Sequence, residues 1–451
     1  MANDLTAVIL AAGAGTRMRS ALPKVLHPLA GRPMIAHVVA VAEALKPKRL
    51  VVVVGRDQRN VAAAVAPHPT AIQQTARGTG DAVKAAREHF PARGDILVLY
   101  GDTPLVTPGT LRRLVAARRR RKAAVAVLGF RPDDPAPYGR LLTRAGALER
   151  IVESRDASAE EQRIGLCNSG VMAIDGRHAT RLLDRIRNRN ARREYYLTDL
   201  VALARAEGLG CTYVEGPASE FLGVNSRSEL AAAEAAMQNR LRERAMAGGV
   251  TLTDPASVIL CWDTKFWRAV TVGPKVAFGA RVSIASETTI KGFCHIEGAR
   301  VGRRAEVGPF ARLRPGTALG ERARIGNFVE AKAADIGPGA KVNHLTYVGD
   351  ASVGASANVG AGVVTVNFDG FGKYRTEIGD GAFVGSNPSL VAPVKEGTGA
   401  IVGAGSVIVK DVPAQSVAVG RAAQSVRKGA APRLRQRNLT RAEAARRKGD
   451  T

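Results

Sequence analysis

The sequence predicts an α/β chain in two parts, a domain with a mainly parallel sheet and then a parallel β-helix, and three patterns predict it. First, apolar strand-like runs alternate with helical patterns up to about residue 225, as at 50–55, 95–100 and 123–128. That alternation builds parallel sheets whose ligands sit at the carboxyl ends of the strands. Second, Ser226-Arg-Ser-Glu229 has capping-box spacing and opens an alanine-rich run to about Ala247, closed by Gly248-Gly249, which reads as a connecting helix. Third, from Val272 an aliphatic residue followed by a small one returns every six positions, as in Val272-Gly273, Phe278-Gly279, Ile284-Ala285, Val301-Gly302, Val307-Gly308 and Ile325-Gly326. After a one-residue slip the pattern resumes with Ile336-Gly337, Val342, Val348-Gly349, Val359-Gly360, Ile378-Gly379 and Val384-Gly385. A six-residue period fits neither an amphipathic helix nor an alternating strand, and it marks a parallel β-helix. Each coil then takes three hexapeptides, one per flat face, with the aliphatic side chains stacked inside and glycine relieving crowding at the corners.

These patterns divide the chain into 1–226, a linker helix over 227–249, the β-helix over 250–426, and a basic tail over 427–451 whose order the sequence leaves open. A chain of 451 residues exceeds what one hydrophobic core supports, which agrees with two domains. Cys167, Cys211, Cys261 and Cys294 are scattered, with no CxxC and no paired histidines nearby, so neither a disulfide framework nor a zinc site is expected. The first strand-like run, Leu5-Thr-Ala-Val-Ile-Leu10, has no basic leader, and no apolar run reaches membrane-spanning length. The expectation is a cytoplasmic protein with no membrane partner. The net charge of +26 raises the question of nucleic acid. The basic clusters at 118–122 and 421–448 are not interleaved with aromatic residues, and only 4% of the chain is aromatic, which favours small anionic ligands instead.

Directly after the first strand comes Leu10-Ala11-Ala12-Gly13-Ala-Gly15-Thr16-Arg17, followed by Pro23-Lys24. Glycines at a strand-to-helix turn let backbone N–H groups approach a phosphate. The full string, Gly-x-Gly-Thr-Arg with Pro-Lys five residues on, resembles the signature of sugar-nucleotide pyrophosphorylases, which have a Rossmann-like nucleotidyltransferase fold. The resemblance implies that Leu10, Ala11, Ala12 and Gly13 wrap a nucleoside triphosphate and that Arg17 and Lys24 counter charge on the transferring phosphate. It extends to Gln73 with Gly78-Thr79 as a uracil-reading segment, and to Tyr100-Gly101-Asp102, where Asp102 matches a magnesium ligand. Asn225 in Gly223-Val-Asn225 matches the second contact to Mg²⁺, an ion that prefers oxygen donors. Tyr138-Gly139-Arg140, Glu153, Asn168 and the string Glu194-Tyr-Tyr-Leu-Thr-Asp199 match the sugar-binding positions. Arg77 and Asp81 depart from the family, which more often has leucine and histidine there, and this opens the question of base recognition.

Within the hexapeptide region, polar side chains interrupt a repeat that needs only aliphatic and small residues. They fall in Gly308-Pro-Phe-Ala-Arg312-Leu-Arg314, Gly326-Asn-Phe-Val-Glu330-Ala-Lys332, Asn343-His344-Leu-Thr-Tyr347-Val-Gly-Asp350 and Gly360-Ala-Gly362. Acetyl transfer to an amine requires a base for its proton, a role that suits histidine near neutral pH. Hexapeptide prisms resemble the left-handed β-helix acyltransferases, which associate as homotrimers. Taken together, the two halves are similar, over nearly the whole chain, to the family of bifunctional N-acetylglucosamine-1-phosphate uridyltransferases and glucosamine-1-phosphate acetyltransferases. That resemblance implies acetyl-CoA and UTP as co-substrates, sugar phosphates as small-molecule partners, and UDP-N-acetylglucosamine as product. It implies His344 as catalytic base with Glu330 as its partner, and Arg314, Lys332, Tyr347, Asn358 and Lys373 around the sugar phosphate. Asn367, Phe368, Ser386, Ala404 and Arg421 match coenzyme-binding positions. Phe368 stands where the family commonly has tyrosine, and Asn387-Pro388 after Ser386 is a second departure. The stretch 367–373 breaks the register as an extruded loop, and 258–270, with Trp262 and Trp267, fits the repeat poorly. The alternative reading is a single-activity sugar-phosphate nucleotidyltransferase with a purely structural β-helix; His344, Tyr347 and Lys373 distinguish the two, because a structural prism does not need them.

Overall fold

The computed structural model describes residues 4–13 and 15–449. The chain divides into two compact units, the first running to Thr264 with Phe278–Ala280 added, the second comprising Lys265–Ala277 and the residues from Arg281 on.

The first unit is built on a mixed sheet. Its strands β1 (Leu5–Leu10), β2 (Arg49–Gly55), β3 (Thr70–Gln73), β4 (Asp95–Tyr100), β5 (Val125–Phe130), β6 (Cys167–Asp175) and β7 (Cys211–Glu215) lie in the order β7-β5-β6-β4-β1-β2-β3. Only β6 runs antiparallel to its neighbours β4 and β5 along this path. Every residue of β1 and of β5 is buried, as expected of unbroken apolar runs covered on both faces. The chain winds outward from β1 through β2 and β3, then returns to β4 on the other side of β1. The loops leaving β1 and β4 therefore diverge, which opens a crevice at the carboxyl ends of the two central strands. Part of the basic excess is internal to this unit: Arg118 is buried, ion-paired with Asp95 and, at 2.9 Å, with Asp175.

The predicted connecting helix is present as α2 (Arg227–Ala247), following α1 (Thr79–Ala85), and its capping box is formed by Ser226 and Glu229. It packs as part of the first unit. Ala30 N–H donates to Glu234 Oε2 at 2.8 Å, and Gln238 both donates to Leu260 O (2.7 Å) and accepts from Leu260 N–H (2.9 Å). The poor repeat near Trp262 has the same origin. Trp262 N–H donates to Ala30 O at 2.8 Å and the Arg32 guanidinium lies 4.2 Å over its ring, so the chain at Trp262 is tied to the first unit, while Lys265 and Phe266 just beyond it pair with Ser283 and Ile284 in the first coils.

The second unit is a stack of short parallel strands, and its ladders reproduce the hexapeptide register. Val272, Ile290, Val307, Ile325, Val342, Val359, Val384 and Val402 follow one another in a single ladder. A second ladder runs Ile284, Val301, Leu319, Ile336, Val353, Ile378 and Glu396, and a third begins Ile296, Leu313, Ala331 and Val348. Three faces and three hexapeptides per coil are thus a parallel β-helix. Glycine is required where one coil's turn meets the next: a Cβ at Gly326 would lie 1.9 Å from Asn343 O. The tail whose order the sequence leaves open is helical, α3 (Ala430–Gly449). Its alanine, arginine, leucine and glutamine residues are strong helix formers, a propensity that the charge of the segment concealed. No helix among the described residues is long and apolar enough to cross a membrane.

Glu396 is the exception in its aliphatic ladder. It is 2% exposed, and neither carboxylate oxygen has a hydrogen-bond partner among the described residues. Burial pushes its pKa from the ordinary value of 4.5 up to about 7. A folded-state pKa above the unfolded one means that its contribution is intact below about pH 4.5 and is lost as the pH rises through 7. Glu396→Val is therefore expected to stabilise the protein more at pH 8.5 than at pH 5, by a difference of about 3 kcal/mol. Urea denaturation of both proteins at the two pH values measures it, and an equal gain at both would contradict the assignment.

Candidate functional site

The turn after β1 crosses the crevice with Ala11 N–H bonded to Val53 O at 2.8 Å. Gly15 has φ 61°, and a Cβ there would lie 2.6 Å from Lys24 Cβ, so only glycine lets the turn pack onto the Pro23-Lys24 segment. That contact places Lys24 Nζ against Asp102 Oδ2 at 2.5 Å and Asn225 Oδ1 at 3.0 Å. Asp102 comes from the loop after β4. Asn225 sits just before α2, where the capping-box residue Glu229 accepts its backbone N–H at 2.6 Å. The result is a positive charge between one carboxylate and one amide oxygen, a donor pair that also suits a hard divalent cation.

Two cavities adjoin this triad. Leu10, Ala11, Ala12, Gly13, Lys24, Gln73 and Gly78 line one; Arg17, Gly139, Glu153, Asn168 and Asn225 line the other, and Thr79, Tyr100, Asp102 and Glu194 line both. Of the other predicted residues, Gly101 is buried with its N–H on Leu10 O at 2.9 Å, and Arg140 lines neither cavity, being buried with Nη2 on Gln162 O at 3.2 Å. The string Glu194–Asp199, expected to bind sugar, also acts as a clamp. Tyr195 N–H donates to Arg77 O and Gly80 N–H to Tyr195 O, both at 2.8 Å, and Leu197 N–H donates to Thr79 Oγ1 at 3.0 Å. In the second cavity burial pushes the Glu153 carboxyl up, opposed by the Thr198 hydroxyl it accepts at 3.0 Å. Burial, with Glu153 and Asp156 nearby, pushes Asp199 up to about 6. Burial also raises the Tyr100 hydroxyl above its ordinary value. Sequence reasoning named Thr198 only within its string and missed Glu229 as a contributor; the capping-box spacing was the available signal for Glu229.

In the second unit, residues one coil apart stand side by side. His344 pairs in register with Asn327, and its Nδ1 lies 2.6 Å from Asn327 Oδ1. With that oxygen accepting, Nδ1 is the donor and Nε2 is the ring nitrogen left for another partner. The partner expected for His344 is Glu330, whose hydrogen bond in this structure is to Arg314. Glu330 faces Tyr347 in its own ladder, and its carboxylate accepts from Arg314 Nη1 at 2.9 Å with Arg312 at 3.6 Å. Lys332 meets Asp350 at 3.2 Å, and Asn367 Nδ2 donates to the same carboxylate at 2.5 Å. Asn367, expected at a coenzyme position, thus shares the Asp350 carboxylate with Lys332. The extruded loop returns Lys373 to this point. Asp369 accepts the N–H groups of Phe371 (2.8 Å) and Gly372 (2.7 Å), Phe368 bridges to Lys373, and Tyr374 N–H closes on Asn367 O at 2.9 Å. Hydrogen bonding to Lys373 and to Asp350 holds the Lys332 ammonium up, and that ammonium pushes the Lys373 amine down. Tyr347 lies over Gly349, where a Cβ would collide with its hydroxyl. Asn358 stands apart, in a ladder with Lys341 and Phe383. Ser386 and Ala404 occupy one corner on successive coils, with Gly405 N–H on Ser386 O at 2.8 Å, and Arg421 is exposed beyond the last strand. The departure at Asn387 is a corner residue with φ 64°, a conformation asparagine tolerates.

The chain matches the MobA-like NTP transferase domain over residues 7–165. It is 57% identical over 437 residues to the bifunctional protein GlmU of Paramagnetospirillum magneticum, covering 96% of this chain and 97% of that protein. The protein of the same name from Rhodospirillum rubrum is 59% identical over 438 residues, covering 96% of this chain and 98% of the relative. That from Azorhizobium caulinodans is 55% identical over 438 residues, with 96% and 97% covered.

Gly78 has φ 117° and a Cβ there would lie 2.6 Å from Tyr195 O, whereas Gly146, φ 77°, has nothing within 4 Å of that position. Gly146→Ala carries the left-handed penalty of about 1–2 kcal/mol, and Gly78→Ala, at φ 117° and ψ 175°, carries the cost of a backbone region essentially closed to residues with a Cβ, about 1–3 kcal/mol. Gly78→Ala must in addition displace the clamp, so it is expected to cost about 1–3 kcal/mol more than Gly146→Ala in urea denaturation. Equal costs would show that the clamp yields freely.

Proposed function

The chain belongs to the family of the bifunctional protein GlmU, and from that membership we propose that it makes UDP-N-acetylglucosamine in two steps. Glucosamine 1-phosphate is N-acetylated from acetyl-CoA in the β-helix. The product then receives a uridylyl group from UTP in the α/β unit, releasing pyrophosphate. The observation that carries the reading is the convergence of the turn after β1, the loop after β4 and the start of α2 on the ammonium of Lys24, between two cavities.

In the first unit the nucleotide lies along Leu10 to Gly13, whose backbone N–H groups approach the phosphates as at other glycine turns. The acceptor sugar takes the second cavity, its hydroxyls toward Glu153, Asn168 and Gly139. Its phosphate oxygen attacks the α-phosphorus in line and pyrophosphate leaves, with no covalent enzyme intermediate. Arg17 and Lys24 neutralise the charge that develops on the phosphates. Asp102 and Asn225 would hold Mg²⁺, which when bound supplies further neutralisation of the triphosphate. Their fit to a cation is supported by the ammonium that already bridges them.

In the second unit Arg314, Lys332 and Lys373 take the phosphate of glucosamine 1-phosphate, with Tyr347 and Asn358 lining the pocket. His344 Nε2 accepts the amine proton as the nitrogen attacks the thioester carbonyl; the tetrahedral intermediate collapses, and the proton passes to the departing coenzyme A thiolate. Asn327 positions the imidazole and Glu330 positions Arg314. Phe368, Ser386, Ala404 and Arg421 line the coenzyme's path, with Asn367 between the two ligands. Resemblance to the hexapeptide acyltransferases supports a homotrimer through the β-helix, and the metabolic substrates support a cytoplasmic location.

A coupled assay with glucosamine 1-phosphate, acetyl-CoA, UTP and Mg²⁺, omitting each in turn, tests the whole scheme. His344→Ala is expected to lower thiol release from acetyl-CoA by at least about 100-fold while leaving uridylyl transfer to supplied N-acetylglucosamine 1-phosphate intact. Wild-type thiol release in that variant would favour a structural β-helix and a single activity. Lys24→Met separates the two duties of this lysine. It should abolish most uridylyl transfer, yet bind Mn²⁺ without nucleotide about tenfold more tightly by electron paramagnetic resonance, because an internal competing cation is gone. Weaker Mn²⁺ binding would show that Lys24 does not compete for the Asp102 and Asn225 oxygens.

A further inference from the structure

Gln73 ends β3 and is 7% exposed, with its side chain on the wall of the nucleotide cavity. Its Nε2 donates to Gly78 O at 3.2 Å and to Asp81 Oδ2 at 2.9 Å. A backbone carbonyl and a carboxylate can only accept, so the orientation of the amide is settled by its partners. Both N–H bonds are used, and Oε1 is the group left for a ligand. Turning the amide over would break both hydrogen bonds and set Oε1 against two acceptor oxygens, a costly arrangement in a buried site.

An oxygen that can only accept selects a base edge that donates. At the centre of that edge uracil presents N3–H, whereas cytosine presents a bare N3, its donor being the N4 amino group to one side, so an Oε1 fixed opposite position 3 would face cytosine lone pair to lone pair. We propose that Asp81 determines base selection by locking Gln73 as an acceptor, admitting uridine and rejecting cytidine nucleotides. The inference rests on the reading that this cavity takes a uridine nucleotide. It goes beyond that reading in assigning a role to Asp81, a residue that departs from the family pattern. Asp81 is a positioning residue. It lines a separate recess behind Gln73, with Arg77, Lys84 and Arg87, and not the nucleotide cavity itself. Its place is set without a ligand. The first turn of α1 is held by Gly80 N–H on Tyr195 O at 2.8 Å and by the Thr79 hydroxyl, which accepts Leu197 N–H at 3.0 Å.

The test compares steady-state uridylyl and cytidylyl transfer, from UTP and CTP, by the full chain and by Asp81→Ala, Asp81→Asn and Gln73→Ala, with thermal melts of each. Asp81→Ala frees one Nε2 hydrogen and lets the amide turn. The KM for UTP is expected to rise about tenfold with kcat within about twofold, and the UTP-to-CTP ratio of kcat/KM to fall about tenfold or more. Asp81→Asn, whose Oδ1 still accepts from Gln73, should hold that ratio within about threefold. A ratio unchanged in Asp81→Ala but collapsed in Gln73→Ala overturns the role of Asp81 and leaves the uridine reading standing. A ratio unchanged in Gln73→Ala overturns the reading that Gln73 meets the base, and the proposal with it. Loss of activity in Asp81→Asn equal to that in Asp81→Ala, with a lowered melting temperature in both, assigns Asp81 to structure alone and also overturns the proposal.

Discussion

The ammonium of Lys24, held between Asp102 and Asn225, is the contact through which distant parts of the first unit become one site. The lysine arrives on a segment that packs against Gly15, the acid leaves the end of β4, and the amide stands at the entrance to α2. None of these is near another in the chain. What unites them is that a cation with little access to water must find oxygen partners, and that the crevice between β1 and β4 is where the loops supplying them diverge. The capping box of α2 serves the same end. Glu229 satisfies the first free N–H groups of the helix and in doing so fixes the backbone of Asn225.

The β-helix solves the corresponding problem by register. Each coil repeats the geometry of the one before, so a side chain's neighbours are those of the adjacent coils at the same position. His344 has Asn327 beside it for this reason, and Glu330, displaced by a few residues along the coil, has Tyr347 instead. The extruded loop alone escapes the rule. It is closed by Asp369 and by the bond from Tyr374 to Asn367, and so carries Lys373 back to the coil that holds Lys332.

What could be read in the sequence is what periodicity and compact strings encode. The hexapeptide step is visible because one aliphatic residue per face must point inward, and Gly15, Lys24 and Asp102 are visible because their motifs are contiguous. What could not be read depends on contacts that no local pattern carries. The pairing of His344 with Asn327 needs the coil register across the slip before Ile336, where a single residue decides which side chains are neighbours. The attachment of Trp262 to Ala30 joins segments far apart in the chain, so the residues around it look like failed repeat. The helix at Ala430–Gly449 was concealed differently, since its charge left its order open while its propensities favoured helix. Glu396 shows the opposite limit, for the repeat places it inward although its chemistry argues against burial.

A common device links the two units. Three of the cations assigned to a phosphate already have a carboxylate partner: Asp102 for Lys24, Asp350 for Lys332 with Lys373 close by, and Glu330 for Arg314. Cations left bare would swing into water, and ordering them on binding would cost side-chain entropy. Held by internal acids, they are oriented beforehand, and an arriving phosphate exchanges one anionic partner for another instead of collecting flexible chains. The released carboxylate then has to find a new charge, which in the first unit is the natural place for a divalent cation. Preorganisation by internal counter-ions thus explains why acids cluster at sites meant for anions, and why so basic a chain keeps carboxylates at the points where its substrates are proposed to bind.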